Sequence, residues 1–353
     1  MRIAQLAPLA ESVPPKLYGG TERVVAWLVD ELVGLGHDVT LFASGDSRTK
    51  GKLHPVWPRA LRLGRKGVDP SAACAMLLEA VARRAKDFDV IHAHIDWLPL
   101  PLLGRLSVPF LTTMHGRLDL PGLPDVVRQF PDAGFVSISE HQRRPLPGAN
   151  WIATIQHGLP SHLFNPSNEQ GSYLAFLGRF TAEKGPEDAI RIAQAAGKPL
   201  RIAAKIPRGE TRYFKKTIEP LIDGRAVHLV GEIDEAKKQP FLAEAAALLF
   251  PIDWPEPFGL VMIEAMACGT PVIAYRSGSV PEVVEDGVTG FIVENVDQAT
   301  RAVAELGRLD RKRIRARFEA RFSASRMATE YEQTYRGLIA TRRATPFTCP
   351  ECG

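Results

Sequence analysis

The stretch Asp253-Trp254-Pro255-Glu256-Pro257-Phe258-Gly259-Leu260-Val261-Met262-Ile263-Glu264 carries two carboxylates. Glu256 lies in a Pro-rich loop, and Glu264 falls about two turns into the helix that follows. A carboxylate ahead of a helix can bind sugar hydroxyls, and one inside it can take both hydroxyls of a ribose. Pro257, Phe258, Gly259 and Leu260 set backbone amides at the helix N-terminus, where the peptide dipoles favour an anion. Two solvated acids are the alternative. Glu264 resists it, because it sits among Val261, Met262, Ile263, Ala265 and Met266, where a carboxylate needs a partner or a ligand. Upstream, Arg179 and Lys184 flank Phe180-Thr181-Ala182-Glu183 between a strand and a helix starting at Pro186. In open α/β sheets ligands bind at this edge, and a planar guanidinium with a mobile ammonium can neutralise a diphosphate. Two surface cations are the alternative. Gly19-Gly20, between the first strand and the first helix, frees backbone N–H groups for an anion, or simply makes a tight turn. It is not G-x-G-x-x-G, which counts against a simple dinucleotide oxidoreductase.

These residues need strand ends to hold them, and the chain supplies such ends at regular intervals. Apolar strands at 3–6, 39–42, 90–93, 110–113 and 134–138 alternate with helical stretches at 21–35 and 71–85. The polar, turn-rich run 165–172 reads as a linker. The rhythm then restarts, with strands at 173–177, 200–203, 227–230, 246–250, 271–274 and 291–293, and helices at 186–196, 237–246 and 259–268. Strand–helix alternation with short connections predicts right-handed crossovers and parallel sheets, hence an α/β fold of two Rossmann-like domains. The expected boundaries are 1–165 and 166–323, with a helix over about 324–343 completing the first domain.

The 353 residues suit two domains, each with its own core. A 45% hydrophobic and 24% charged composition excludes general disorder, and a net charge of +4 gives no reason to expect nucleic acid. No apolar run approaches the ~18 residues of a membrane span. Met1 to Leu6 runs straight into a strand without a signal peptide's apolar region, so a cytoplasmic location is expected. Cys74 and Cys268 sit in apolar helical segments as small buried thiols. Cys349 and Cys352 form one C-x-x-C, two thiolates short of a zinc site; a metal shared within a dimer is the alternative to an inert tail.

In combination these motifs resemble the retaining glycosyltransferases of family 4. The likeness runs through Gly19-Gly20, Thr112-Thr113-Met114-His115-Gly116, Ser137-Ile138-Ser139-Glu140, Gly178-Arg179 with Lys184-Gly185, Glu256-Pro257-Phe258-Gly259 through Glu264, and Phe322-Ser323-Ala324-Ser325-Arg326-Met327. The resemblance implies the GT-B architecture, in which the two domains face a central cleft and the last helix crosses back to the N-terminal domain. It implies transfer of a hexose from a nucleotide sugar, a UDP-sugar above all, to an acceptor hydroxyl with retention of configuration. Arg179 and Lys184 would bind the donor diphosphate and stabilise it as it leaves. Glu256 would contact hydroxyls of the donor sugar, Glu264 the ribose, and Gly19 and Gly20 would approach donor phosphate or acceptor. Pro257, Phe258, Gly259 and Leu260 would complete the donor site. His115 would lie near the transferred sugar. The resemblance implies that the departing diphosphate helps deprotonate the acceptor, so that no dedicated protein base is required; it implies no cofactor, with cationic groups in place of a bound metal. The acceptor class (small molecule, glycan or lipid) and the oligomeric state stay open. A GT-B nucleotide-sugar epimerase and a catalytically silent sugar-nucleotide binding protein are the competing readings.

Several positions carry more than one reading. Lys205-Ile206-Pro207 ends a strand where relatives often have a glycine, which would reshape the base pocket; Val230-Gly231-Glu232 either cradles the base or is an ordinary turn. His92 and His94, near Asp96, have metal-ligand spacing but also suit an acceptor site or a structural role. His157-Gly158 reads as an interdomain turn. The basic stretch 48–66, with Trp57, Leu61 and Leu63 interleaved, is either a solvated loop or a peripheral contact with a membrane or anionic acceptor. The Arg-rich run 311–321 reads as a solvated helix face.

Overall fold

The computed structural model describes residues 1–16, 19–64 and 67–344, and the chain divides into two compact units. One comprises Met1–Gly158 together with the chain from Ala324 onward; the other is Leu159–Ser323. The polar run 165–172, read as a linker, lies inside the second unit: the Ser167 carbonyl accepts from Arg311 at 2.9 Å, and the Ser167 N–H donates to the Cys268 carbonyl at 3.0 Å.

The first unit is built on a seven-stranded parallel sheet of β1 (Arg2–Leu6), β2 (Asp38–Ser44), β3 (Lys52–Trp57), β4 (Val90–Ala93), β5 (Phe110–Thr113), β6 (Gly134–Ser137) and β7 (Trp151–Thr154), in the order β3-β2-β1-β4-β5-β6-β7. Near-continuous apolar runs suit strands covered on both faces, and Ile3, Ala4, Leu6, Val90, Ile91 and Ala93 are fully buried. One core joins Leu6, Phe42 and Ile91 to the helix Pro70–Arg83 through Ala73, Leu77 and Val81. β3 and β7 have no counterpart in the sequence reading. β3 falls within the basic stretch 48–66, where Lys and Arg obscure its alternation. Trp57 and Leu61 pack against that core, which corrects the reading of those side chains as part of a solvated loop. Leu63 is exposed, and Arg65 and Lys66 lie outside the described residues.

The second unit holds a six-stranded parallel sheet of β8 (Tyr173–Arg179), β9 (Leu200–Lys205), β10 (Val227–Leu229), β11 (Ala245–Phe250), β12 (Val272–Tyr275) and β13 (Gly290–Val293), in the order β10-β9-β8-β11-β12-β13. All six residues of β11 are buried. The helices Glu235–Ala243 and Leu260–Ala267 flank β11 in the chain. In the Arg-rich helix Arg311–Phe322, Lys312, Arg313 and Arg317 are exposed, as the solvated reading expects, but Arg311 and Arg315 turn inward. Arg311 donates to the carbonyls of Ser167, Ala243 and Ala245 at 2.8–2.9 Å, and Arg315 to those of Phe164, Ser161 and Ala267. The guanidinium donors satisfy carbonyls of loops, helix C-termini and the start of β11.

The chain leaves the second unit beside the point where it enters: the Leu159 N–H donates to the Phe322 carbonyl at 2.8 Å. The helix Ala324–Ala344 then covers the first unit's sheet, burying Met327, Ala328, Tyr331 and Tyr335. No described helix is long and apolar enough to cross a membrane. Cys268 is buried, and that burial, with Glu264 beside it, pushes its thiol up to about 12. Cys74 is half-buried; Cys349 and Cys352 lie outside the described residues.

Candidate functional site

In each unit the strand order reverses direction between the first strand and the fourth: β1 and β4 in one, β8 and β11 in the other. Connections leave such neighbours toward opposite faces of the sheet, which opens a crevice beyond their C-terminal ends.

In the second unit that crevice collects the predicted residues. β8 ends at Arg179, beside Lys205 in register on β9. Arg179 lies 3.6 Å from Glu183 and is a third exposed. The chain then makes one 3-10 turn, Ala182–Lys184, and passes through Gly185 with φ +66°. Only glycine fits there: a Cβ would sit 1.9 Å from the Pro251 carbonyl oxygen. That close approach ties the turn after β8 to the loop after β11, and the Asp253 N–H adds a bond to the Glu183 carbonyl at 2.8 Å. The ammonium of Lys184 pairs with the carboxylate of Glu256, and both side chains are largely buried. Trp254 completes this cluster. Its indole N–H donates to Glu256 Oε2 at 3.1 Å, and Lys184 Nζ lies 4.7 Å from its ring centroid.

The Glu256 loop is braced from the next strand end. Gly278 leaves no room for a Cβ against the Glu256 backbone, which would stand 2.4 Å away. Ser277 Oγ donates to the Trp254 carbonyl at 2.6 Å, Ser279 Oγ to the Phe258 carbonyl at 2.8 Å, and the Ser279 N–H to the Glu256 carbonyl at 3.0 Å. Gly259, at φ +81°, is the N-cap of Leu260–Ala267. Phe258 is 2% exposed, with its ring against Phe322, so its side chain is core and only its backbone faces the loop. Glu264 is 1% exposed; its Oε1 accepts from Lys238 Nζ at 2.5 Å, and its Oε2 has no partner among the described residues. A buried carboxylate oxygen without a donor costs free energy until a ligand hydroxyl or water supplies one.

In the first unit Gly19 caps the helix Gly20–Gly34. A Cβ at Gly19 would meet Pro15 Cβ at 2.8 Å and Glu22 Oε2 at 3.1 Å. Glu22 is buried in the helix's first turn, and burial raises its carboxyl toward the neutral form, with Glu11 adding to the shift. Leu17 and Tyr18 lie outside the described residues.

Across the β4 and β5 ends stands a histidine cluster. His92 bonds Tyr335 OH through Nδ1 and Thr113 Oγ1 through Nε2, both at 2.7 Å. His94 bonds His115 Nε2 through Nδ1 at 2.9 Å and Gln5 Oε1 through Nε2 at 2.8 Å. All four nitrogens of the pair are engaged in these hydrogen bonds, and among the described residues no group of three or more His, Cys, Asp or Glu side chains is placed to hold a metal ion. The Asp96 carboxylate accepts from the His115 backbone N–H at 3.2 Å, and the Asp96 carbonyl accepts from Thr112 Oγ1 at 2.7 Å. The His157 ring stacks on that of His115 with centroids 5.3 Å apart. His157 therefore belongs to this cluster, beyond its expected role as a turn residue. Burial pushes the His115 imidazole down to about 3 and lowers His92, His94 and His157 as well, so the rings are neutral near pH 7.

Two family models match this chain: residues 18–179 match "Glycosyltransferase Family 4" and residues 162–321 match "Glycosyl transferases group 1". The chain belongs to the group 1 glycosyltransferases. Among its relatives, the phosphatidyl-myo-inositol mannosyltransferase of Mycolicibacterium smegmatis is 26% identical, over 92% of this chain and 88% of that protein. The D-inositol 3-phosphate glycosyltransferase of Acidothermus cellulolyticus is 27% identical, over 92% and 85%. Among solved structures, sucrose-phosphate synthase from Thermosynechococcus elongatus superposes with a TM-score of 0.80 at 22% identity, over 96% of this chain and 99% of that one. An Anabaena protein in complex with UDP and glucose superposes with a TM-score of 0.71 at 20% identity, over 96% and 100%. The fold of this glycosyltransferase is thus GT-B.

The sequence reading missed Trp254, Lys238, the Ser277-Gly278-Ser279 brace, and the Gln5, Tyr331 and Tyr335 contacts to the histidines. Trp254 stood inside the quoted motif, and an aromatic two residues before Glu256 was its signal. The others are far from their partners in sequence, and nothing local marks them.

Proposed function

We propose that this glycosyltransferase moves a hexose from a UDP-sugar to an acceptor hydroxyl, with retention of configuration and without a metal. The observation that carries the reading is the pair of buried ion pairs beyond β8 and β11, Lys184–Glu256 and Lys238–Glu264, with Glu264 Oε2 left open. A donor would exchange these internal pairings for its own groups. Its diphosphate would draw Lys184 and Arg179, its sugar hydroxyls would reach Glu256, and its ribose would donate to Glu264. Leaving-group charge grows along the reaction, so fixed cations lower the barrier more than they tighten ground-state binding. His115 would meet a hydroxyl of the transferred sugar. Gly19 and Gly20 would offer backbone N–H groups to donor phosphate or acceptor.

The relatives named for inositol and inositol-phosphate acceptors suggest that class as a first choice of acceptor. Incubating the enzyme in EDTA with UDP-hexose and a panel of inositol acceptors should release UDP and form a product whose anomeric proton coupling matches the donor's. A product of inverted configuration, or release of UDP only on adding Mg²⁺ or Mn²⁺, would overturn the reading.

A further inference from the structure

His115 is one end of a buried hydrogen-bond chain that runs through the first unit to the helix Ala324–Ala344. Its links are His115 Nε2 to His94 Nδ1 at 2.9 Å, His94 Nε2 to Gln5 Oε1 at 2.8 Å, Gln5 Nε2 to Tyr335 OH at 3.0 Å, Tyr335 OH to His92 Nδ1 at 2.7 Å, His92 Nε2 to Thr113 Oγ1 at 2.7 Å, and Thr113 Oγ1 to Tyr331 OH at 2.9 Å. Gln5, His92, Thr113, Tyr331 and Tyr335 are fully or almost fully buried, and His94 is 2% exposed, so water does not compete for these bonds.

Hydroxyls and neutral imidazoles can stand in such a chain in either sense. The Gln5 amide cannot, because its oxygen only accepts and its nitrogen only donates. With Oε1 toward His94, the His94 proton must be on Nε2, which leaves Nδ1 to accept; the proton of His115 must then be on Nε2. On the other side the amide N–H donates to Tyr335, whose hydroxyl donates to His92. Turning the amide over would reverse every bond and place a proton on His115 Nδ1. That atom is buried with no partner among the described residues, and an orphaned donor is rarer than an orphaned acceptor.

We propose that Gln5, held by Tyr335, is the positioning residue that fixes His115 as the Nε2–H tautomer, so that His115 meets the substrate as an acceptor through Nδ1. The ligand it suits is a hydroxyl that donates its proton; a carbonyl, phosphate or carboxylate is refused. For the part played in catalysis, the proposal rests on the transfer reading above. A sugar hydroxyl that donates to an imidazole lone pair becomes more electron-rich, which favours the positive charge that develops on the sugar ring as the diphosphate leaves.

The chain can be read directly in the full-length protein without any donor. In protein labelled with ¹⁵N-histidine, with His115 assigned by its loss in His115→Asn, the spectrum at neutral pH should show Nε2 protonated and Nδ1 bare for both His115 and His94. A proton on Nδ1 of His115 overturns the proposal. Gln5→Leu, which removes both ends of the amide, should leave His115 a mixture of tautomers and lower kcat on the order of tenfold, the size of one neutral hydrogen bond. Gln5→Glu, whose carboxylate can only accept from His94, should restore the Nε2–H form. Should Gln5→Leu not fold, Tyr335→Phe frees the same amide and should mix the tautomers likewise. A folded Gln5→Leu or Tyr335→Phe protein with an unchanged tautomer also overturns the proposal. Because the tautomer is read without substrate, its failure is separate from failure of the transfer reading, which would show as absence of turnover in the unaltered enzyme.

Discussion

Lys184 and Glu256 neutralise each other in a largely buried pair, and Trp254 caps both. Arg179, one strand end away, is more exposed. Two cations so placed cost little to hold in the absence of donor, and on the proposed reading they would become available when a diphosphate displaces the carboxylate. Lys184→Ala and Arg179→Ala should each lower kcat roughly 10²-fold, a few kcal/mol, with a smaller effect on donor affinity. Steady-state kinetics with varied donor will check this, and near-normal kcat in both variants would show that the phosphate site is elsewhere. On the proposed reading Glu264 would meet the ribose, further from the bond that breaks. Glu264→Gln keeps the shape and loses the charge, so donor Kd should rise about tenfold or more, the worth of a charged hydrogen bond, while kcat at saturation holds. Isothermal titration would measure it; a variant that melts earlier but binds donor normally would make Glu264 only the partner of Lys238.

The elements place these residues through parallel strands that end together, and the first unit's strands do so around four neutral histidines. Each of His92, His94, His115 and His157 is held below its ordinary value by burial. The unfolded chain binds protons on them near pH 6.5, and the fold does so only well below. Their contribution to stability is therefore complete above about pH 6.5 and is lost progressively as pH falls below it, for His115 down to about pH 3, with up to ~1.4 kcal/mol per pH unit for each histidine. His37 and His54, also lowered by burial, act with the same sign. Asp96 and Glu22 are raised by burial and act with the opposite sign, in the carboxylate range, so they offset the lower end of the fall. Urea melts should give a midpoint that is flat from about pH 8 to about pH 6.5 and drops steeply by about pH 5; a flat midpoint across that range would show that the cluster takes up protons while folded. Eleven expected strands were legible because buried parallel strands read as apolar runs, and Arg179, Lys184, Glu256 and Glu264 were legible because β8, β11 and the turns after them are local in sequence. β3 was hidden by Lys52 and His54, and β7 by its short, half-buried run. The chain from His115 to Tyr331 joins residues more than two hundred positions apart, which no local pattern records.

At the scale of the whole molecule, the first unit is not continuous in sequence. Its sheet is finished by the helix Ala324–Ala344, which places Tyr331 and Tyr335, fully or almost fully buried, on β4 and β5 residues. A chain ending at Ser323 would expose those positions and leave His92, Thr113 and Gln5 without their hydroxyl partners. Each lost partner costs about 1–3 kcal/mol, comparable in sum to the stability of a domain. Calorimetry of that truncated chain should show the first unit's transition lost. A truncated chain that melts as the full one does would mean that the helix is dispensable.

On the proposed reading, the second unit holds a nucleotide sugar by its own charged residues. The direct measurement is thermal unfolding in EDTA with UDP-, GDP-, ADP- and dTDP-hexoses, each on the unaltered protein and on Glu264→Gln. UDP-hexose should stabilise the protein by ~2.7 kcal/mol at about 100 times its Kd, and Glu264→Gln should lose about half of that gain or more at the same concentration. No shift with any of the four, or a shift that appears only when Mg²⁺ is added, would contradict it.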